Sequence, residues 1–377
     1  MASRSCCQWM WVFIALLLST VCAVDEVDND NKSAIEQARL LQTPVPNATD
    51  GAEFEAAEFF DQHADLLHQA WNEFEDQLST LLPIPMEDIL DPTLHRALQQ
   101  AWSAAAQKDM TGLEESEAFL MNLWEPVAPD VWAATVLQPK GIEHLRKYLN
   151  LATSAGIPLR RPNGMNRYGV IVDSNVAGAV PLKGLTSVIQ NALIDHCFRP
   201  VGRMLLPHYT SYNDKDNDAN GFAFTIRYQS EEDLYLREHS DASLVTMNIN
   251  LNPPHETYTG SDLYFVDPVA QQQQEEGREA RHTVSMKPGM ALIHRGLIRH
   301  AALPLRNGTR TNLILWLFGA DDGYVRVAPY EAHEQMTALQ RWSSKPMESS
   351  SSSPSTPKKW NSTEESFDSW LPDAEEL

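Results

Sequence analysis

The chain has 377 residues, 43% hydrophobic and 21% charged. That globular makeup excludes a disordered or fibrous protein and leaves room for roughly two domains of about 150 residues. With 29 basic against 51 acidic residues the net charge is -22, which excludes nucleic acid as a main partner, because phosphate backbones are held by basic patches.

Residues 1–23 read as a secretory signal peptide: Arg4, an apolar run from Trp9 to Val24 broken by Ser19 and Thr20, and small residues at Val21-Cys22-Ala23. The run falls short of the ~20 residues a spanning helix needs. Cleavage is therefore preferred to a type II membrane anchor, and membrane contact is expected only if the segment stays uncleaved. Cleavage after Ala23 removes Cys6, Cys7 and Cys22 and leaves Cys197, read as a buried apolar side chain in a helix. Residues 24–52 are polar and acidic with Pro44 and Pro46 and predict a flexible leader.

A helical region is expected over 53–132. Phe60, Ala64, Leu67, Trp71, Phe74, Leu78 and Leu81 alternate steps of four and three, one apolar stripe on a helix of about seven turns ending before Pro83. Asp91-Pro92 starts a second helix carrying Leu94, Leu98, Trp102 and Ala105. Thr111 with Glu114 reads as a capping box for a third, with Leu120, Leu123 and Trp124.

Residues 133–320 form the second unit. Ile142, Leu145 and Leu149 mark a helix closed near Gly156, Tyr168 to Asp173 is of strand type, and Leu182 to Leu206 is helical. Strand-like runs follow: Phe222 to Tyr228, Leu244 to Leu251, Leu263 to Val266, His282 to Met286, Met290 to His294 and Thr311 to Phe318. Turn signals at Thr259-Gly260, Pro288-Gly289 and Asn307-Gly308 separate them. Such a series predicts an α+β chain whose core is a β-sandwich or barrel, with a jelly roll the leading option. Gln271–Gln274 reads as an exposed insertion and 343–377 as a disordered Ser-rich tail. Sequons at Asn31, Asn47, Asn307 and Asn361 fit a glycoprotein of the secretory pathway. The ending Ala374-Glu375-Glu376-Leu377 is similar to an endoplasmic-reticulum retention signal, although its first position lacks the usual basic residue.

The chemistry lies between Tyr228 and Trp316. His239-Ser240-Asp241 sets two ligand-type side chains at i and i+2, one face of a strand. Two His and one carboxylate suit a non-haem iron(II) site with open positions, so a second His is required from another strand. His294 and His300 are the candidates. An oxygenase that uses 2-oxoglutarate needs a guanidinium to hold the distal carboxylate as a bidentate pair. His300 and Arg310 are ten residues apart, joined through Pro304 and an Asn307-Gly308 turn. That places a strand end opposite a strand start, one small molecule apart. His300 is taken as the ligand, and His294 as a core histidine or one beside the ligands.

These motifs resemble the iron(II)/2-oxoglutarate dioxygenases of the prolyl and lysyl hydroxylase group. Arg227-Tyr228, His239-Ser-Asp-Ala-Ser243, Thr246, Asn248, Ile249, Leu251 and Asn252 are similar to lysyl hydroxylases. His294-Arg295-Gly296, His300, Gly308, Arg310 and Asn312-Leu313-Ile314-Leu315-Trp316 are more similar to the "2-oxoglutarate and iron-dependent oxygenase domain-containing" branch, as is Arg161-Pro162-Asn163-Gly164-Met165-Asn166 with Tyr168-Gly169. The resemblance covers roughly 133–319. It implies a double-stranded β-helix (jelly-roll) core with helices packed on one side. It implies His239, Asp241 and His300 as iron ligands, Arg310 as the 2-oxoglutarate anchor, and Tyr228 lining the co-substrate pocket, with Thr246 and Asn248 as further pocket candidates. It also implies hydroxylation of an aliphatic C–H with succinate and carbon dioxide as co-products, and L-ascorbate as re-reductant.

The leading expectation is a hydroxylase of the endoplasmic reticulum lumen acting on a polypeptide, at proline or lysine. The alternatives are a small-molecule hydroxylase of the same superfamily, or a jelly-roll binding module that has lost its chemistry. Retention of His239, Asp241, His300 and Arg310 together argues for the enzyme.

Overall fold

The computed structural model describes residues 32–43, 58–78, 84–162, 166, 168–172, 176, 178–207, 221–267, 281–317 and 337–342. Residues 1–31, the Gln271–Gln274 insertion, the Ser-rich tail, Asn47 and Asn361 lie outside them. The flexible leader expected over 24–52 is corrected in part: Ala34–Arg39 is a helix capped by Ser33, which accepts from the Glu36 amide, and it buries Ile35 and Ala38 in the core. Among the described residues no helix is long and apolar enough to cross a membrane.

The architecture is α+β. Strands β1 (Glu125–Ala128), β2 (Val131–Thr135), β3 (Val170–Ile171), β4 (Gly221–Gln229), β5 (Leu236–His239), β6 (Val245–Asn250), β7 (Tyr258–Gly260), β8 (Leu263–Val266), β9 (Arg281–Val284), β10 (Met290–Arg295), β11 (His300–Ala302) and β12 (Leu305–Leu317) form two antiparallel sheets. The larger runs β1-β2-β10-β6-β12-β4-β3, with β7 pairing additionally with β12; the smaller runs β5-β11-β8-β9. Side chains from both sheets, including Phe224, Ile226 and Ile314 of the larger and Leu263, Phe265 and Ala302 of the smaller, form one apolar cluster. The sheets therefore face each other. The other face of the larger sheet, through Val245, Met247, Ile249, Leu313, Leu315 and Leu317, packs into a second core with the helices.

Helix Pro92–Gln107 begins as its sequence predicts: the Asp91 carboxylate accepts from the amides of Thr93 and Leu94, with Pro92 in the first turn. The next helix, Met110–Leu123, is capped by Asp109, which accepts from the Gly112 amide. The expected Thr111/Glu114 capping box is thus corrected. An Asp two residues ahead satisfies an orphan amide of the first turn and starts the helix earlier. The seven-turn stripe is corrected too. Ala64–Gln77 is one helix, but the chain leaves helical geometry at His63 and again at Leu78, and Leu81 lies outside the described residues. Nor is the region to 132 all helical: β1 and the start of β2 fall within it, and β2 joins the large sheet through β10. Of the Tyr168 to Asp173 run, Val170–Ile171 is strand.

The helical segment Lys183 to Leu205 contains a long π-helical stretch, Val188–Phe198, before Arg199–Leu205. Pro200 has no N–H to give the preceding turn, and the indole N–H of Trp102 donates instead to the His196 carbonyl (3.0 Å). Cys197 in this stretch is buried and free, its thiol pushed by burial up to about 12, as expected of an inert apolar residue.

His196 packs beside His95, their ring centroids 5.9 Å apart. Burial, then the proximity of His95, pushes the His196 imidazole down to about 4 from its ordinary 6.5. Between those values the unfolded chain binds the extra proton. Stability should therefore fall as pH drops from about 6.5 towards 4 and level off below that. Thermal unfolding across this window is expected to show wild type losing a few degrees more than His196→Gln; parallel curves would refute the assignment.

Candidate active site

The smaller sheet brings two imidazoles together. His239 ends β5 and His300 begins β11, and the two are direct partners in the antiparallel ladder, with ring centroids 4.4 Å apart. Each Nδ1 lies near a carbonyl two residues earlier, His239 with Arg237 (2.8 Å) and His300 with Ile298 (2.9 Å). A carbonyl can only accept, so each Nδ1 carries the proton and each Nε2 keeps a lone pair for a metal.

Asp241 is not on β5, as the i, i+2 argument supposed. It lies two residues past the strand end, where its amide donates to the Gly296 carbonyl (2.8 Å). Gly296 is required there, because a Cβ would meet the Ser243 carbonyl at 1.9 Å. The Asp241 Oδ1 atom lies 3.4 Å from His239 Nε2 and 3.7 Å from His300 Nε2. The three ligand atoms fall within 4.8 Å of one another, near enough to converge on one small divalent ion. Two imidazoles and a carboxylate are the donor set of an open non-haem iron(II) site. The other oxygen, Oδ2, accepts from Thr246 Oγ1 (2.6 Å), whose own partner is Ser243 Oγ (2.8 Å).

Burial alone would push the Asp241 carboxyl up, but His300, His239 and His294 around it outweigh burial and hold it well below the usual carboxylate range. Burial takes the His300 imidazole down to about 3. For His239, burial is overcome by the Asp241 hydrogen bond and charge, and its pKa is raised. His294, on β10 of the opposite sheet, is also buried and its pKa lowered. Its Nε2 lies 3.7 Å from Asp241 Oδ2, so it flanks the carboxylate on the side away from the other two imidazoles' shared oxygen.

Arg310 is fully buried, and its place on the strand corrects an expectation. Asn307-Gly308 is not a turn. β12 runs unbroken from Leu305 through Arg310, and residues Leu305 to Gly308 pair with β7. Nor does the chain reverse at Leu303-Pro304: Ala302 pairs with Leu263 and Leu305 with Gly260 in one antiparallel direction, so β11 runs on into β12. Gly308, with φ +85°, is accommodated within the strand at an irregular register. Arg310 Nε donates to Asn312 Oδ1 (3.1 Å), and Nη1 donates to the Ser261 carbonyl and to Ser261 Oγ (3.0 Å). Nη2 faces Met286 Sδ at 3.5 Å, a weak acceptor. Among the described residues no carboxylate pairs with this guanidinium. Tyr228 pairs with Arg310 across β4 and β12, its ring 5.6 Å from the guanidinium carbon. The Tyr228 hydroxyl is buried without a hydrogen-bond partner among the described residues.

Thr246 and Asn248 lie on β6, whose six residues are all buried. Val245, Met247 and Ile249 face the helices, so Thr246, Asn248 and Asn250 face the space between the sheets. Asn248 accepts from Asn312, and Asn250 donates to Asn312 Oδ1 (3.4 Å). Ser261, Asn250 and Met286 escaped the sequence reading, which quoted Asn312 but gave it no role. The available signal was a strand with three polar residues on one face, flanked by strands that leave it no solvent.

The histidines and Arg310 share one inter-sheet space. Phe265 of the common cluster stacks on His300 (5.6 Å between centroids), while Tyr228 and Met286 of the same cluster touch Arg310.

No protein-family model matches the chain. It is 28% identical over 209 residues to 2-oxoglutarate and iron-dependent oxygenase domain-containing protein 2 of Xenopus tropicalis, covering 54% of each chain. The identity to the Homo sapiens protein of that name is 31% over 236 residues, covering 61% of each. The chain is a homologue of these oxygenase domain-containing proteins. The homologue spans about half the length of the Xenopus relative. It is also 32% identical over 116 residues to procollagen-lysine,2-oxoglutarate 5-dioxygenase 1 of Mus musculus, covering 29% of this chain and 13% of that one. The homologue's His239, Asp241, His300 and Arg310 all lie at the space between the two facing sheets.

Proposed function

We propose that the chain is an Fe(II)- and 2-oxoglutarate-dependent dioxygenase that hydroxylates a protein side chain, proline or lysine, with succinate and carbon dioxide as co-products. The carrying observation is a fully buried guanidinium, paired with no carboxylate among the described residues, in the same inter-sheet space as a converging His-Asp-His set. A buried charge without a paired counter-charge is costly, and a ligand carboxylate lowers that cost. In this reading the two sheets form a double-stranded β-helix.

His239, Asp241 and His300 would hold iron, which supplies activation of dioxygen when bound. Thr246 holds the second Asp241 oxygen and so keeps Oδ1 turned to the metal. Arg310 Nη2 and the unpartnered Tyr228 hydroxyl take the far carboxylate of 2-oxoglutarate, and Asn248 acts through Asn312. L-ascorbate serves as re-reductant. The mouse relative is named for lysine in procollagen, which supports a polypeptide substrate. The apolar amino terminus and sequons support the secretory pathway, and Asn307, on the exposed part of β12, is accessible to glycan. A binding module is disfavoured by the complete ligand set.

Incubation with iron(II), 2-oxoglutarate and a panel of proline- and lysine-containing peptides tests this. The expected result is succinate release matched by gain of one oxygen on a peptide. Succinate matched by oxidation of a small molecule, with every peptide unchanged, would replace the substrate class. Absence of any 2-oxoglutarate binding would sink the enzyme reading.

A further inference from the structure

Gly260, which ends β7, and Ser261, between β7 and β8, both have positive φ, +75° and +59°. Glycine adopts this region freely, whereas a serine Cβ is strained there. Strain of this kind persists only where the surroundings over-determine it, and it gathers at functional sites. Ser261 is 2% exposed, and its amide donates to the Pro304 carbonyl (3.0 Å). The left-handed turn aims two acceptors of one residue, carbonyl and hydroxyl, at a single nitrogen, Arg310 Nη1. Asn312 takes Nε from the other side and is itself held by Asn248 and Asn250. Three of the five N–H donors of the guanidinium are thereby engaged by strong acceptors, and Nη2 is the nitrogen left for a ligand.

We propose that Ser261 is a positioning residue: its strained backbone and hydroxyl fix the orientation of the Arg310 guanidinium and leave Nη2 directed at the ligand. The use of that orientation to hold 2-oxoglutarate rests on the function proposed above. Glycine at this position would relax the backbone yet lose the hydroxyl, so stability and ligand affinity should part company.

The test compares wild type, Ser261→Gly and Ser261→Ala. In Ser261→Gly the melting temperature should hold or rise, while the 2-oxoglutarate dissociation constant rises about tenfold, the equivalent of one hydrogen bond to a charged group. Co(II) affinity should not change. Ser261→Ala, which keeps the Cβ and the carbonyl, should weaken 2-oxoglutarate without gaining stability. A residue acting through stability alone would move melting temperature and affinity together. Nitrogen-15 NMR of the Arg310 side chain, assigned by its loss in Arg310→Lys, reads the cradle without any ligand: resolved Nη signals in wild type should average in Ser261→Gly. Unchanged guanidinium rotation and unchanged 2-oxoglutarate affinity in Ser261→Gly would overturn the proposal. Restricted Arg310 rotation in a wild-type protein that binds no 2-oxoglutarate would uphold the cradle and sink the proposed function.

Discussion

Asp241→Ala is expected to fold and to lose iron(II)-dependent turnover, with divalent-metal affinity lowered by more than about 100-fold. Loss of a residue that merely orients a ligand costs about 10–100-fold, and Asp241 supplies the one anionic donor of the set. The imidazoles that remain cannot replace it. His239 and His300 converge on the position its Oδ1 occupies, and two neutral donors are too few for an open site. Calorimetry with Co(II) separates metal loss from unfolding, and near-normal 2-oxoglutarate decarboxylation by Asp241→Ala would remove this carboxylate from the site. The same assay decides between the two histidines. His300→Ala should lose metal as Asp241→Ala does, whereas His294→Ala should keep most of it, since His294 faces the oxygen already held by Thr246. The reverse order would make His294 the ligand.

Arg310→Ala is expected to weaken 2-oxoglutarate by about 2–5 kcal/mol, roughly 30- to 4,000-fold, the range for truncating one partner of a buried charge pair. Metal affinity should be almost untouched, because the guanidinium makes no contact with His239, Asp241 or His300 among its hydrogen bonds. Arg310→Lys should recover part of the loss. A lysine keeps the charge but cannot satisfy Asn312 and Ser261 at once, since it lacks the planar fork. Titration of 2-oxoglutarate into the Co(II)-loaded proteins checks this, and equal affinity in wild type and Arg310→Ala would refute the anchor.

Local signals in the sequence were reliable where one residue satisfies its own neighbourhood. Asp91-Pro92 capped a helix because the carboxylate reaches amides two and three residues on. Thr111 misled because an equally good cap stood two residues earlier. Asn307-Gly308 misled for a different reason. A favoured turn pair is only a local preference, and pairing with β7 across some fifty residues of chain overrode it. Strands β5, β7 and β11 are three or four residues long, too short for alternation to register.

The chemical alphabet of the site was a property of the sequence: two imidazoles, a carboxylate and an arginine at separations that suit a metal and a dicarboxylate. Which groups converge was decided by the tertiary structure. His239 and His300 meet because β5 and β11 are antiparallel neighbours, and Asp241 reaches them through the Gly296 carbonyl and Thr246 rather than by strand alternation. Thr246, Asn248 and Asn250 alternate with apolar residues, the pattern that ordinarily turns a polar face to water. Here helices cover one face of β6 and the smaller sheet covers the other, so the polar face lines the site. Alternation specifies two faces of a strand; only packing against other elements decides which of them, if either, meets solvent.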